Sequence, residues 1–181
     1  RELTVRLVTD DEHNPEVVTN RLRRNGISVV EDKRSALMHN KFIVIDEQVL
    51  WMGSLNFTTN GVFCNNNVVV RWDSAELAEN YLIEMAEMYD DRSFGPRSPE
   101  NTTDSFVING ISIENYFAPE VEVAPIIAQE VAQADEEILF LAFSFTFEGI
   151  GQTVIDRAYK GVEVAGVFES LGSNTQYSYY G

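Results

Sequence analysis

Cysteine is almost missing from this chain: Cys64 stands alone among 181 residues. A lone thiol closes no internal disulfide, so the fold is no disulfide scaffold and has to rest on an apolar core. Cys64 itself reads as a small buried apolar residue or a loop thiol. Histidine is nearly as scarce, with His13 and His39 only, and no Cys or His pair stands at metal-ligand spacing. The reading is therefore a metal-independent chemistry with no cofactor. No run of 18 or more apolar residues occurs, and no basic segment leads into an apolar leader. The chain opens abruptly on RELTVRLV, however, and reads as an excised piece, so a missing leader carries no weight.

Positive charge is also short. Thirteen Lys and Arg against 29 Asp and Glu leave a net charge of −16, which opposes long-range attraction to nucleic acid or to anionic membranes and leaves room only for a local basic site. Three common catalytic signatures are absent: the G-x-x-x-x-G-K-[ST] phosphate loop, H-E-x-x-H and the G-x-S-x-G elbow. Apolar side chains, by contrast, are plentiful. With 44% hydrophobic and 11% aromatic residues, the chain can build one core at ordinary single-domain size.

Strand and helix signals alternate along the chain. LTVRLV predicts a strand, followed by a helix entered at Asn14 and Pro15 and stopped at Gly26; ISVVE returns as a strand. KFIVID and VLWMGS predict a hairpin turned around Glu47 and Gln48, with NNVVVRW beyond it. After Ser74, apolar residues at Leu77, Tyr81, Leu82, Met85 and Met88 have helical spacing, and the carboxylates between them read as a solvated face. Residues 91–104 hold two prolines and little periodicity, so they read as a linker; Asn101-Thr102-Thr103 within them matches a glycosylation sequon. FVINGISIE carries the Asn-Gly signal of a tight hairpin. Helix, strand, helix and strand follow in EVAPIIAQEVAQA, EEILFLAFSF, GIGQTVIDRAYKG and VEVAGVFES. The expected fold class is α/β, a mixed β-sheet flanked by helices. One internal echo, between Thr4–Asn14 and Glu163–Asn174, pairs a strand, an acidic residue and a polar loop at domain-sized spacing.

The chemistry concentrates in MHNKFIVIDEQVLWMGSLNFT. Side chains two apart on a strand share a face, so His39 and Lys41 project together, while Asp46 at the strand end has the opposite parity and is placed to order the turn. Gly53 permits close backbone approach, and Ser54 and Asn56 are again two apart. An imidazole, an ammonium, a hydroxyl and a carboxamide in one pocket suit a phosphate. The cation and neutral donors would stabilise charge on phosphorus, and the imidazole can attack it or protonate a leaving oxygen.

His39-x-Lys41-x(4)-Asp46-x(6)-Gly53-Ser54-x-Asn56 fits the H-x-K-x(4)-D-x(6)-G-S-x-N signature at every defined position. On these residues the chain resembles the phospholipase D superfamily. The resemblance implies a phospholipase D-like half-domain in which two such motifs face each other across a pseudo-twofold axis. One His forms a phosphohistidine; the other protonates the leaving group and then activates water or an alcohol. His39 would then be nucleophile or general acid/base, Lys41 and Asn56 would bind phosphate, Ser54 would support the site and Asp46 would be structural. Many relatives place an acidic residue before the strand that follows G-S-x-N, where it orients the His. Here CNNNVVV puts Asn66 in that place, and an amide holds the ring without stabilising imidazolium, so a weakly basic His39 is expected.

No second H-x-K occurs. Compared with the order of elements in such proteins, residues 1–90 read as the C-terminal part of a first repeat carrying the motif. Residues 91–104 read as a linker, and 105–181 as the N-terminal part of a second repeat. The two parts are expected to complete one α/β unit, within the chain or by swapping in a homodimer, with the second motif supplied by a missing half beyond Gly181 or by a second subunit. The implied substrate is a phosphodiester, with nuclease-like chemistry placed ahead of phospholipid hydrolysis because the elements are short and no amphipathic basic helix marks a lipid interface. A catalytically silent interaction domain is the remaining reading. The expected setting is bacterial, cytoplasmic or secreted.

Overall fold

The computed structural model describes residues 3–12 and 16–169. They divide into two compact units, Arg1–Glu120 and Val121–Gly181, each taken here by itself.

The first unit opens with strand β1 (Arg6–Thr9), helix α1 (Glu16–Arg24) and strand β2 (Ser28–Glu31). β1 and β2 pair in parallel, from Arg6↔Ser28 to Thr9↔Glu31. The helix ends where Gly26 adopts a φ of 80°, letting Ile27 N–H reach back to the Leu22 carbonyl at 3.1 Å. The expected entry at Asn14 and Pro15, and His13 beside it, lie outside the described residues.

An antiparallel sheet follows, β3 (Phe42–Ile45), β4 (Val49–Gly53) and β5 (Val69–Asp73), in that order across the sheet. Asp46 and Glu47, with φ of 52° and 55°, are the central residues of the turn from Ile45 to Gln48 that joins β3 to β4, where Gln48 N–H donates to Ile45 O at 3.1 Å. Strand parity turns Phe42, Val44, Leu50, Met52 and Trp72 toward helix α3 (Ala75–Tyr89), where Leu50, Leu77, Tyr81, Phe106 and Phe117 make the main core. The Tyr81 ring meets Phe42 and Phe117 edge-on at 5.1 and 4.9 Å. Ser74 caps α3, its hydroxyl accepting from Leu77 N–H at 3.2 Å. A short helix that the sequence did not suggest, α2 (Thr59–Phe63), sits between β4 and β5 and is capped by Thr58.

Residues 91–104, expected to be a linker, pack as part of the first unit. Phe94 is buried with Val30 and Met88. Asn80 on α3 clasps Thr103 through both of its backbone groups, at 2.9 and 2.7 Å. The hairpin beyond, β6 (Ser105–Ile108) and β7 (Ile111–Glu114), turns at Asn109-Gly110 with φ of 51° and 80° and contributes Phe106 to the main core. The division between units therefore falls after Glu120 and not inside 91–104. Prolines and missing periodicity marked irregular backbone, which here is held by side chains.

The second unit contains α4 (Val123–Ala132), β8 (Glu137–Ala142), α5 (Glu148–Tyr159) and β9 (Glu163–Phe168), with β8 and β9 parallel. Phe140, Phe145 and Phe168 pack together, while Leu139, Leu141, Phe143 and Val167 are exposed. The class is α/β as expected, with parallel and antiparallel pairings. Among the described residues the strands form four small sheets, β1-β2, β3-β4-β5, β6-β7 and β8-β9. The echo at Glu163 is present as β9, and its polar end at 170–174 lies outside the described residues.

Candidate active site

The two halves of the motif meet at the open end of the β3–β4 hairpin. Gly53 N–H donates to the Lys41 carbonyl at 3.3 Å, carrying the ladder one step beyond Phe42↔Met52. Ser54 N–H donates to Val68 O at 3.0 Å on the other side. Gly53 is squeezed between these neighbours: a Cβ there would lie 2.1 Å from Val68 O.

Each motif residue has a distinct local role. Ser54 Oγ donates to Asn67 Oδ1 at 2.9 Å and accepts from Val68 N–H at 3.1 Å. Its one proton is thereby used inside the loop, so in this arrangement the hydroxyl can accept but not donate to a ligand. Asn67 in turn donates to Gly61 O at 2.9 Å. The exposed Asn56 side chain makes no hydrogen bond among the described residues, which leaves its carboxamide N–H groups available to a ligand. Lys41 Nζ donates to the His39 carbonyl at 2.7 Å, and burial lowers its pKa. Asp46 is exposed in the turn. Asn66 is exposed, and its side chain has no hydrogen-bond partner among the described residues; its neighbour Asn67 makes the contact to Ser54.

The pKa of His39 is lowered first by burial and next by the Lys41 ammonium, with the Asp10 carboxylate pulling the other way. Asp10 is the residue that sequence reasoning missed. It is buried at the end of β1, where Oδ2 accepts from Met38 N–H at 3.2 Å and Oδ1 from Glu12 N–H at 3.1 Å. The only signal for it was its place as the acidic residue closing the strand of the internal echo. Asp32, buried at the end of the parallel strand β2, accepts Asp11 N–H at 3.1 Å through Oδ1, and its Oδ2 has no partner. Burial pushes the Asp32 carboxyl up, and Asp10 and Asp11 add to that, against the Asp11 backbone hydrogen bond.

A cavity of about 210 Å³ adjoins the motif, lined by Met38, His39, Asn40, Glu84, Pro119 and Glu120 among others. A larger hollow, about 550 Å³ beside Arg6, Glu47 and Glu79, contains no motif residue. In the smaller cavity Asn40 Nδ2 donates to Glu84 Oε1 at 2.9 Å. The carboxylates of α3 were expected to be solvated, yet Glu84 and Glu87 are only 4% and 5% exposed. The reason is helical arithmetic: residues 77, 81, 84 and 88 share one face, so a core-facing Tyr81 and Met88 carry Glu84 inward with them. Glu84 is pushed up to about 8, first by burial, then by the charge of Glu120 and a side-chain hydrogen bond with it, and then by Glu87, against the Asn40 hydrogen bond. Burial also raises Glu87.

Residues 1–89 match the family described as cardiolipin synthase, PLD-like domain. Mitochondrial cardiolipin hydrolase of Chlamydomonas reinhardtii is 32% identical over 88 residues, which are 48% of this chain and 40% of that protein. The protein of the same name from Xenopus laevis is 30% identical over 93 residues, 50% of this chain and 44% of that protein. Phospholipase D of Rickettsia bellii (strain RML369-C) is 41% identical over 61 residues, 34% of this chain and 30% of that protein. On the motif and these matches, residues 1–89 are a phospholipase D-like domain. It spans less than half the length of each of these relatives.

The comparisons correct one expectation. A bacterial chain in a cytoplasmic or secreted setting conflicts with relatives from eukaryotes whose names place them in mitochondria.

Proposed function

We propose that this chain carries one half of a phosphodiesterase site working through a phosphohistidine. What supports the reading is the Gly53–Lys41 backbone contact, which brings the H-x-K and G-S-x-N segments onto adjacent strands beside a low-pKa imidazole. His39, neutral at pH 7, attacks phosphorus and forms the N–P bond as the P–O bond to the leaving group breaks. A second histidine, from another copy or another repeat, gives its proton to the leaving oxygen, then takes one from the water that cleaves the N–P bond. Lys41 and Asn56 donate to the non-bridging oxygens in the transition state, Ser54 and Asp46 hold the loop and the turn, and no metal enters the step.

The names of the relatives favour a phospholipid phosphodiester as substrate, with cardiolipin the first to test. A net charge of −16 fits poorly with the nuclease-like substrate, which the compact elements of the first unit otherwise allow. The test is hydrolysis of bis(p-nitrophenyl) phosphate, cardiolipin vesicles and a single-stranded oligonucleotide, all in EDTA, with His39→Ala alongside. EDTA-resistant turnover lost in the variant is the expected result. Turnover kept in the variant would reject the mechanism, and silence on every substrate in both proteins would leave the facing histidine to another repeat or favour an interaction domain.

A further inference from the structure

Glu84 and Glu87 lie one helical turn apart on α3, and Glu120 comes from the segment after β7. One carboxylate oxygen from each falls within 4.8 Å of the other two. Three points so spaced can all lie within about 2.8 Å of a common centre, close to the roughly 2.3–2.6 Å of calcium–oxygen bonds. Burial makes such a cluster costly, because like charges repel most where water is excluded. Yet no ion pair among the described residues reaches any of the three, although Arg34 lines the same cavity.

The independent sign is the hydrogen-bond record. Both oxygens of Glu87, a residue 5% exposed, lack a partner, and so does Glu120 Oε2. Asn101 and Ser98 draw the Glu87 carboxyl down somewhat, but from outside hydrogen-bonding geometry. Buried polar atoms are nearly always satisfied, so orphaned oxygens converging on one point indicate a missing positive partner. The donor set is all oxygen, with no His or Cys, which suits hard cations and not zinc.

We infer that Glu84, Glu87 and Glu120 form a binding site for one divalent cation of the calcium, magnesium or manganese class. The cation joins α3 to the segment after β7. Through the Asn40–Glu84 hydrogen bond it also braces the backbone between His39 and Lys41. Its role is structural, and the inference does not rest on the proposed phosphodiesterase activity.

The test uses the whole chain, stripped with EDTA and desalted, then titrated with MnCl2 while free Mn²⁺ is followed by electron paramagnetic resonance. The expected result is one site per chain tighter than about 1 mM. Glu87→Gln, and separately Glu120→Gln, should weaken it at least tenfold, while the exposed Glu79→Gln leaves it unchanged. Bound Mn²⁺ should also broaden the Asn40 side-chain amide signals in NMR spectra. Circular dichroism confirms that each variant folds, and the two glutamine variants back each other up. Absence of a saturable site, or a site equally tight in both glutamine variants, would overturn the inference.

Discussion

The backbone N–H of Met38 donates to Asp10 Oδ2 at 3.2 Å, across 28 positions of sequence. The residue just before His39 is thus tied to the end of β1, a strand of a different sheet from the hairpin that carries the motif. One buried carboxylate fixes the backbone next to the imidazole and also acts on its charge.

The titration of His39 should report that arrangement. By NMR its midpoint is expected below 6.5. Asp10→Asn removes the group that raises it and should move the midpoint lower, while Lys41→Met removes a group that lowers it and should move it up. Because the folded value lies below the unfolded one, this group's contribution to stability is complete above about pH 6.5 and fades as pH falls through the folded value. A midpoint above 6.5 in the native protein would contradict the placement.

Asp32 gives the opposite sign. Its folded pKa is raised above 3.8, mainly by burial, so the folded state holds its proton more tightly, and stability falls as pH rises from about 3.8 through the folded value. Asp32→Asn keeps an oxygen for the Asp11 N–H and removes the buried charge. The variant should melt a few degrees above the native protein at pH 7, with the difference vanishing near pH 3.5. A native protein that is the more stable of the two at pH 7 would show that the charge has a partner after all.

The hairpin was legible because its signals are local: apolar strands on either side of a polar turn put the His39–Lys41 and Gly53–Asn56 segments at its open end. The Asn109-Gly110 turn and the Ser74 cap were legible for the same reason, each being set by one or two residues. Asp10 was not, since nothing in a strand-ending aspartate says which backbone amide it will meet 28 residues later. Glu84 and Glu87 were misread because charge suggested solvent, while the inward face of α3 was decided by Tyr81, Met88 and the strands they pack on. Residues 91–104 were misread because their order comes from Asn80 and Phe94, long-range contacts that leave no periodic trace.

Asn80 is therefore a sensitive place to probe that segment. It is buried, and it bonds Thr103 twice and Asn115 Oδ1 at 2.7 Å. Asn80→Ala removes both bonds to Thr103 and the one to Asn115 and should cost about 1–3 kcal/mol, read as a lower denaturant midpoint. Limited proteolysis should then cut within 91–104 many times faster than in the native chain. Equal cutting rates in the two proteins would restore the linker reading.

The source of the second histidine can be decided by mixing. If two copies of the chain bring their His39 residues together, specific activity on bis(p-nitrophenyl) phosphate should rise with chain concentration as the pair forms. Combining native chain with an equal amount of His39→Ala at saturating concentration then leaves a quarter of the pairs fully native. Under random pairing, activity per native chain should fall to about one half. Sedimentation of the same samples should show a dimer whose population tracks the activity. If activity per native chain is unchanged by the variant and independent of concentration, a second copy is not the partner. A chain that is silent at every concentration would instead need its facing histidine from another repeat.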